Sequence, residues 1–93
     1  MPTIEIPTPL RPYTQQQSEV HVQGDTVRAC LSDLTTNYPD LQKHLRDKNG
    51  KLRSFVNIYL GDEDIRGMDN EDTEVDADEV LTIVPSIAGG VDV

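Results

Sequence analysis

The residues with the most chemical leverage in this 93-residue chain stand near its end, where Gly89-Gly90 is followed by Val91-Asp92-Val93. Glycine has no Cβ, so an extended segment ending in glycine can be threaded into an active site too narrow for other residues. There its carboxyl group is open to activation with ATP as an acyl adenylate. The unhindered carbonyl carbon is then open to attack by sulfur or nitrogen. Paired glycines near a terminus are also the ordinary composition of a flexible end, so what precedes them decides their meaning.

The other reactive side chains assemble nothing. His21 alternates with Val20 and Val22, and His44 lies in a polar helical piece. No Ser, Cys or Asp stands at a spacing that would make either one a triad member. Cys30 falls on an apolar stripe and reads as a small core hydrophobe. Being the only cysteine, it makes no intramolecular disulfide and no cysteine zinc site. Acids crowd Asp62 to Glu79, which invites a calcium reading. A calcium-loop template begun at Asp62 finds Asp64 and Gly67 in place, but Arg66 stands in the coordination ring and Thr73 replaces the bidentate Glu. No metal is expected.

The chain carries 17 Asp and Glu against 8 Lys and Arg, a formal charge of −9. Ten of those acids and only one base, Arg66, lie in residues 62–79; residues 1–61 hold seven bases and six acids. The negative charge is thus a local surface feature. It reads as a solvated loop or as an acidic docking face for a basic partner, where charge speeds encounter more than it tightens a complex. The balance disfavours nucleic acid and anionic membrane as partners, since both are polyanions. Hydrophobic residues make up 35% of the chain, enough for a modest core. No apolar run approaches the roughly 18 residues of a membrane span, and Met1–Leu10 shows no secretory signal. A soluble cytoplasmic domain is expected.

What positions the glycines is legible in the periodicity. Thr3–Ile6 alternates and stops at Pro7, a short strand; Pro7, Pro9 and Pro12 make a stiff extended loop, and Thr14–Ser18 an exposed turn. Glu19–Val22 alternates again and pairs with the first strand as an antiparallel hairpin. Asp25 is expected to cap a helix from Thr26, with Val27, Cys30, Leu31, Leu34 and Tyr38 as its apolar stripe, ended by Pro39. A short helical piece over Asp40–Arg46 and a turn at Asp47–Gly50 follow. Phe55–Leu60 is the strongest strand signal, Asp64–Arg66 a brief return strand, and Glu79–Val84 a last buried strand stopped by Pro85. This order predicts an α+β domain with a mixed four- to five-stranded sheet packed on one main helix, its first and last strands central: the β-grasp, or ubiquitin-like, fold. Residues 1–85 form the domain and residues 86–93 a flexible tail, so Gly89-Gly90 follows directly on the last strand.

At this point the chain resembles the ThiS and MoaD group of bacterial sulfur carriers, within it the CysO type of actinobacterial cysteine biosynthesis. The resemblance covers nearly the whole length. It is carried by Ile6–Thr14, Gly24-Asp25-Thr26, Phe55–Arg66 and Asp78–Gly90. It implies a protein co-substrate and not an enzyme. Gly90 would be the glycine adenylated and converted to a thiocarboxylate, with Gly89 its threading partner. The activating enzyme, of the MoeB/ThiF type, would use the ATP, and the carrier itself would bind no cofactor. The CysO type then passes sulfur to an aminoacrylate on a PLP-dependent sulfhydrylase of the O-phosphoserine or O-acetylhomoserine type, and a JAMM zinc peptidase releases the product. Pro85 and Ile87 would contact the activating enzyme. Alternatives are the small subunit of molybdopterin synthase and a ubiquitin-like interaction or conjugation module.

The sequence departs from the family in one respect. Gly90 is not terminal, and its peptide bond to Val91 leaves no carboxylate to adenylate. The expectation is that a peptidase, plausibly of the JAMM type, cuts the Gly90–Val91 bond and removes the last tripeptide.

Overall fold

A computed structural model describes residues 1–85 of the chain. Its strands are β1 (Thr3–Glu5), β2 (Glu19–His21), β3 (Val56–Leu60), β4 (Glu63–Asp64) and β5 (Val80–Pro85), with helices α1 (Val27–Asn37) and α2 (Gln42–Leu45). They form one sheet in the order β2-β1-β5-β3-β4. β1 and β2 make the expected antiparallel hairpin, β1 runs parallel to β5, and β3 is antiparallel to both β5 and β4. The first and last strands are central, as the order of elements predicted, and the architecture is the β-grasp.

The sheet buries one face. Along β3 and β5 alternate residues point inward, so Val56, Ile58, Leu81 and Ile83 are at most 2% exposed. Val27, Cys30, Leu31 and Leu34 of α1 meet them in one apolar cluster, which Leu41 and Leu45 close at one end. Among the described residues that single cluster is the core.

Four local expectations are corrected. The cap of α1 is Thr26, whose hydroxyl accepts from the Ala29 N–H at 3.1 Å; Asp25 instead offers its carbonyl to the Val75 N–H at 2.9 Å. The proline-rich stretch is a 3-10 helix over Thr8–Thr14, because the fixed φ of proline suits that turn as well as an extended chain. Its last residue, Thr14, is fully buried, with its hydroxyl donating to the carbonyls of Arg11 and Gln17. The return strand is Glu63–Asp64, and Ile65–Gly67 turns into a 3-10 helix capped by the Asp64 side chain. Finally, Pro85 does not stop β5 but completes it opposite Val56, since a last residue can do without a ladder N–H.

Nor is the acidic stretch a free loop. Ile65, Thr73 and Val75 are buried along it. The Val27 N–H donates to Thr73 O at 3.0 Å, and Arg28 pairs with Asp72. The segment therefore lies across the N-terminus of α1, where carboxylates are favoured by the helix dipole.

His44 is half-buried, its ring centroid 4.3 Å from that of Tyr13, and its Nε2 is buried without a hydrogen-bond partner. Replacing it with Phe keeps the ring contact and removes the orphaned nitrogen. His44→Phe should stabilise the domain by about 1 kcal/mol in urea unfolding, and a variant less stable than the parent refutes this account.

Candidate functional site at the end of the central strand

Gly90, Gly89, the Gly90–Val91 bond and Ile87 all lie outside the described residues. What the structure describes is the anchor from which they run. β5 is the middle strand of five, paired on both sides, and its inward residues Leu81 and Ile83 are 0% and 2% exposed. The ladder to β1 stops at Glu5 opposite Thr82, and that to β3 begins at Val56 opposite Pro85. Pro85 is the last ladder position among the described residues. Residues 86–93 thus follow in sequence on the most supported strand of the domain.

Pro85 is half-buried there. An open groove of about 420 Å³ runs between Ile6, Pro7 and Arg11 and the outer residues Thr82, Val84 and Pro85. Arg11 is fixed by its Nε, which donates to Ile6 O at 3.1 Å, and Thr82 donates its hydroxyl to Glu5 at 3.0 Å. Val84, which lines that groove, and Phe55, next to the Val56 that pairs with Pro85, are apolar residues 40% and 46% exposed near the end of β5. Of the two docking residues expected, Pro85 lines the groove and Ile87 lies outside the described residues. Phe55 and Val84 were not singled out. The signal for Val84 was present, since the alternation that buries Leu81 and Ile83 turns it outward; Phe55 precedes the strand it was assigned to, so alternation gave no guide.

Beyond the groove, the segment between α2 and β3 forms a second depression of about 500 Å³ that Lys43, Lys48 and Arg53 help to line. The Asp47 carboxyl there is held below the usual carboxylate range, first by the Lys51 N–H, then by the Asn49 N–H and by the Arg53 and Lys51 cations.

No enzymatic centre is assembled among the described residues. His21 Nδ1 lies 3.1 Å from the Thr3 hydroxyl on the outer sheet face. Cys30 is 0% exposed, and burial, followed by the Asp33 and Asp25 carboxylates, pushes its thiol up, away from the reactive thiolate. No group of three or more His, Cys, Asp or Glu is placed to hold a metal ion among these residues, and no helix is long and apolar enough to cross a membrane.

A mixed sheet with its first and last strands central, packed on one main helix, defines a ubiquitin-like β-grasp domain. The ThiS family model matches residues 4–90. The sulfur carrier protein CysO of Mycobacterium tuberculosis is 44% identical over 90 residues, which span 95% of this chain and 97% of that one. The crystal structure of that CysO superposes with a TM-score of 0.85 at 42% identity, over 92% of this chain and 99% of that chain. CysO of Amycolatopsis orientalis, solved in a complex with BexX, gives a TM-score of 0.88 at 34% identity, over 97% of this chain and 100% of its own. The chain belongs to the ThiS family, and it is a ThiS-like sulfur carrier in the CysO line of similarity.

Proposed function

We propose that the protein acts through the carbonyl carbon of Gly90 once Val91-Asp92-Val93 has been removed. The observation that carries this reading is where the family match ends. It runs to residue 90, so Gly90 is the last residue shared with the family model and the tripeptide lies beyond it. In the proposed reaction the freed Gly90 carboxylate attacks the α-phosphorus of ATP on a MoeB/ThiF-like enzyme and pyrophosphate leaves. A sulfide-level nucleophile then displaces AMP and leaves a thiocarboxylate. The thiocarboxylate donates its sulfur to a carbon electrophile on a PLP-dependent sulfhydrylase, in the formation of cysteine or a related metabolite. A JAMM-type peptidase is the proposed agent both of release and of the trimming at Gly90–Val91.

The geometry at Pro85 supports this reading. The rigid strand fixes one end of the tail, and the apolar pair Val84 and Phe55 gives a partner a surface to grip beside it, with Ile87 two residues further on. The test is the mass of the protein recovered from its own host. A species ending at Gly90, with oxygen or sulfur at its carboxyl group, is expected. Recovery of the 93-residue form alone overturns the trimming step.

A further inference from the structure

The turn between α2 and β3 serves neither the core nor the glycine tail, yet it holds a reactive pair of residues. The chain has four asparagines, Asn37, Asn49, Asn57 and Asn70, and only Asn49 is followed by glycine. The side-chain carbonyl carbon of an asparagine is open to attack by the main-chain nitrogen of the next residue, which closes a five-membered ring. A Cβ on that next residue crowds the nitrogen, and Gly50 has none. At the other three sites Tyr38, Ile58 and Glu71 supply one. Asn57 is further held within β3, in register with Val84.

The fold leaves Asn49 and Gly50 room for that ring. Both are exposed, and a Cβ built on Gly50 would meet nothing within 4 Å. Arg46 and Leu52 pair across the base of the turn, and the Asp47 N–H donates to Lys51 O at 2.8 Å. The Asp47 carboxylate accepts from the Asn49 and Lys51 N–H groups at 2.8 and 3.1 Å. These bonds hold main chain only. The Asn49 side-chain amide makes no hydrogen bond among the described residues, so nothing there ties it away from the Gly50 nitrogen. One bond restrains that nitrogen, from the Gly50 N–H to Asp47 O at 3.0 Å. A bond of this kind, in an exposed turn, breaks without unfolding the core.

We propose that Asn49-Gly50 is a site of spontaneous deamidation in the folded protein. The Gly50 nitrogen attacks the Asn49 side-chain carbonyl carbon; the new C–N bond forms, the attacking nitrogen gives up its proton, and the side-chain nitrogen leaves as ammonia. Water then opens the cyclic imide at one of its two carbonyls. Opening at the former side-chain carbonyl leaves an aspartyl residue at position 49. Opening at the main-chain carbonyl leaves an isoaspartyl residue, with the backbone rerouted through the old side chain. One water is consumed and one ammonia released, with no oxidant and no enzyme.

The two products differ in what they do to the turn. The aspartyl form adds a charge and keeps the backbone. The isoaspartyl form inserts a methylene between Asp47 and Gly50, so the Gly50 carbonyl shifts. That carbonyl accepts from Arg46 Nη1 at 3.0 Å, and the same guanidinium holds Glu71 through bonds of 3.1 and 2.6 Å. Damage at residue 49 therefore reaches the acidic strap over α1 through one side chain. The inference stands apart from the carrier reading, because oxygen in place of NH is a different mass change from sulfur in place of oxygen.

The experiment incubates the full chain in warm, mildly alkaline buffer and follows it by intact mass and peptide mapping. A single site should exchange NH for oxygen, at residue 49, giving two products of equal mass that separate on chromatography. Asn49→Gln, whose ring would have six members, should lose the modification. A parallel sample kept unfolded in guanidinium shows the reaction without the turn. Reaction there with none at residue 49 in the folded chain overturns the proposal, as does earlier reaction at Asn37, Asn57 or Asn70. The purified isoaspartyl form should unfold at lower urea than the Asn49→Asp variant. Equal midpoints overturn the link through Arg46.

Discussion

Protein ending at Gly90, supplied with ATP, its activating enzyme and a sulfide source, should gain one sulfur in place of one oxygen, while the 93-residue protein gains none. In the longer form the Gly90 carbonyl is an amide, whose resonance removes the anionic oxygen that must attack ATP. The only main-chain carboxylate is then that of Val93, which is β-branched and follows Asp92. A channel shaped for two residues without Cβ excludes both. Substituting Gly90→Val in the trimmed protein separates the carboxylate from the shape around it: the nucleophile is retained, but a displacement of about 1 Å in a reacting group costs on the order of 100-fold. The measurement is the intact mass of each form after reaction. Equal loading of the 93-residue and trimmed forms, or full-rate loading of the valine variant, would show that the reacting carbon is elsewhere.

Much of this arrangement was legible in the residues because strands and helices declare themselves by period. Val56-Asn57-Ile58-Tyr59-Leu60 alternates in burial as its residue types alternate, the apolar run Val80-Leu81-Thr82-Ile83-Val84 buries Leu81 and Ile83 but turns Val80 and Val84 outward, and α1 buries Val27, Cys30, Leu31 and Leu34 at helical spacing. The misreadings lie where several conformations suit the same residue types. Prolines 7, 9 and 12 fix φ without choosing between an extended chain and a 3-10 turn. Asp25 and Thr26 are both good caps, and only the docking of Val75 on the Asp25 carbonyl selects the second. The acids of residues 62–79 gave charge but no periodicity. That they strap the start of α1 through buried Thr73 and Val75 depends on contacts distant in sequence. The glycines proposed to react were read from residue type and position alone, and the strand before them from its pattern.

The largest loss of stability from a single added methyl group is expected at Gly24→Ala. This glycine turns the chain from β2 into α1 at φ +153°, a backbone that side chains rarely adopt. A Cβ there would stand 2.7 Å from the Cys30 nitrogen and 2.9 Å from the carbonyl carbon and Cβ of Ala29. The nearest of these are main-chain atoms of the first turn of α1, so the helix itself has to move and no side chain can rotate away. That turn holds the cap, with Thr26 Oγ1 accepting from Ala29 and Thr26 O from the Cys30 N–H at 3.0 Å. Moving it also disturbs the Val27 N–H bond to Thr73 that fastens the acidic strap. A strained backbone costs about 1–3 kcal/mol and a damaged cap about 1 kcal/mol, so a loss near 3 kcal/mol is expected. For a domain of this size that lowers the melting temperature by roughly 15 °C. Gly50→Ala is the matched comparison. Its φ is +81°, but a Cβ there meets nothing within 4 Å, so only the backbone preference of about 1 kcal/mol is lost. Thermal and urea unfolding of the two variants measure the difference, and equal losses would show that the close approach of Gly24 to α1 is not what fixes the helix against the sheet.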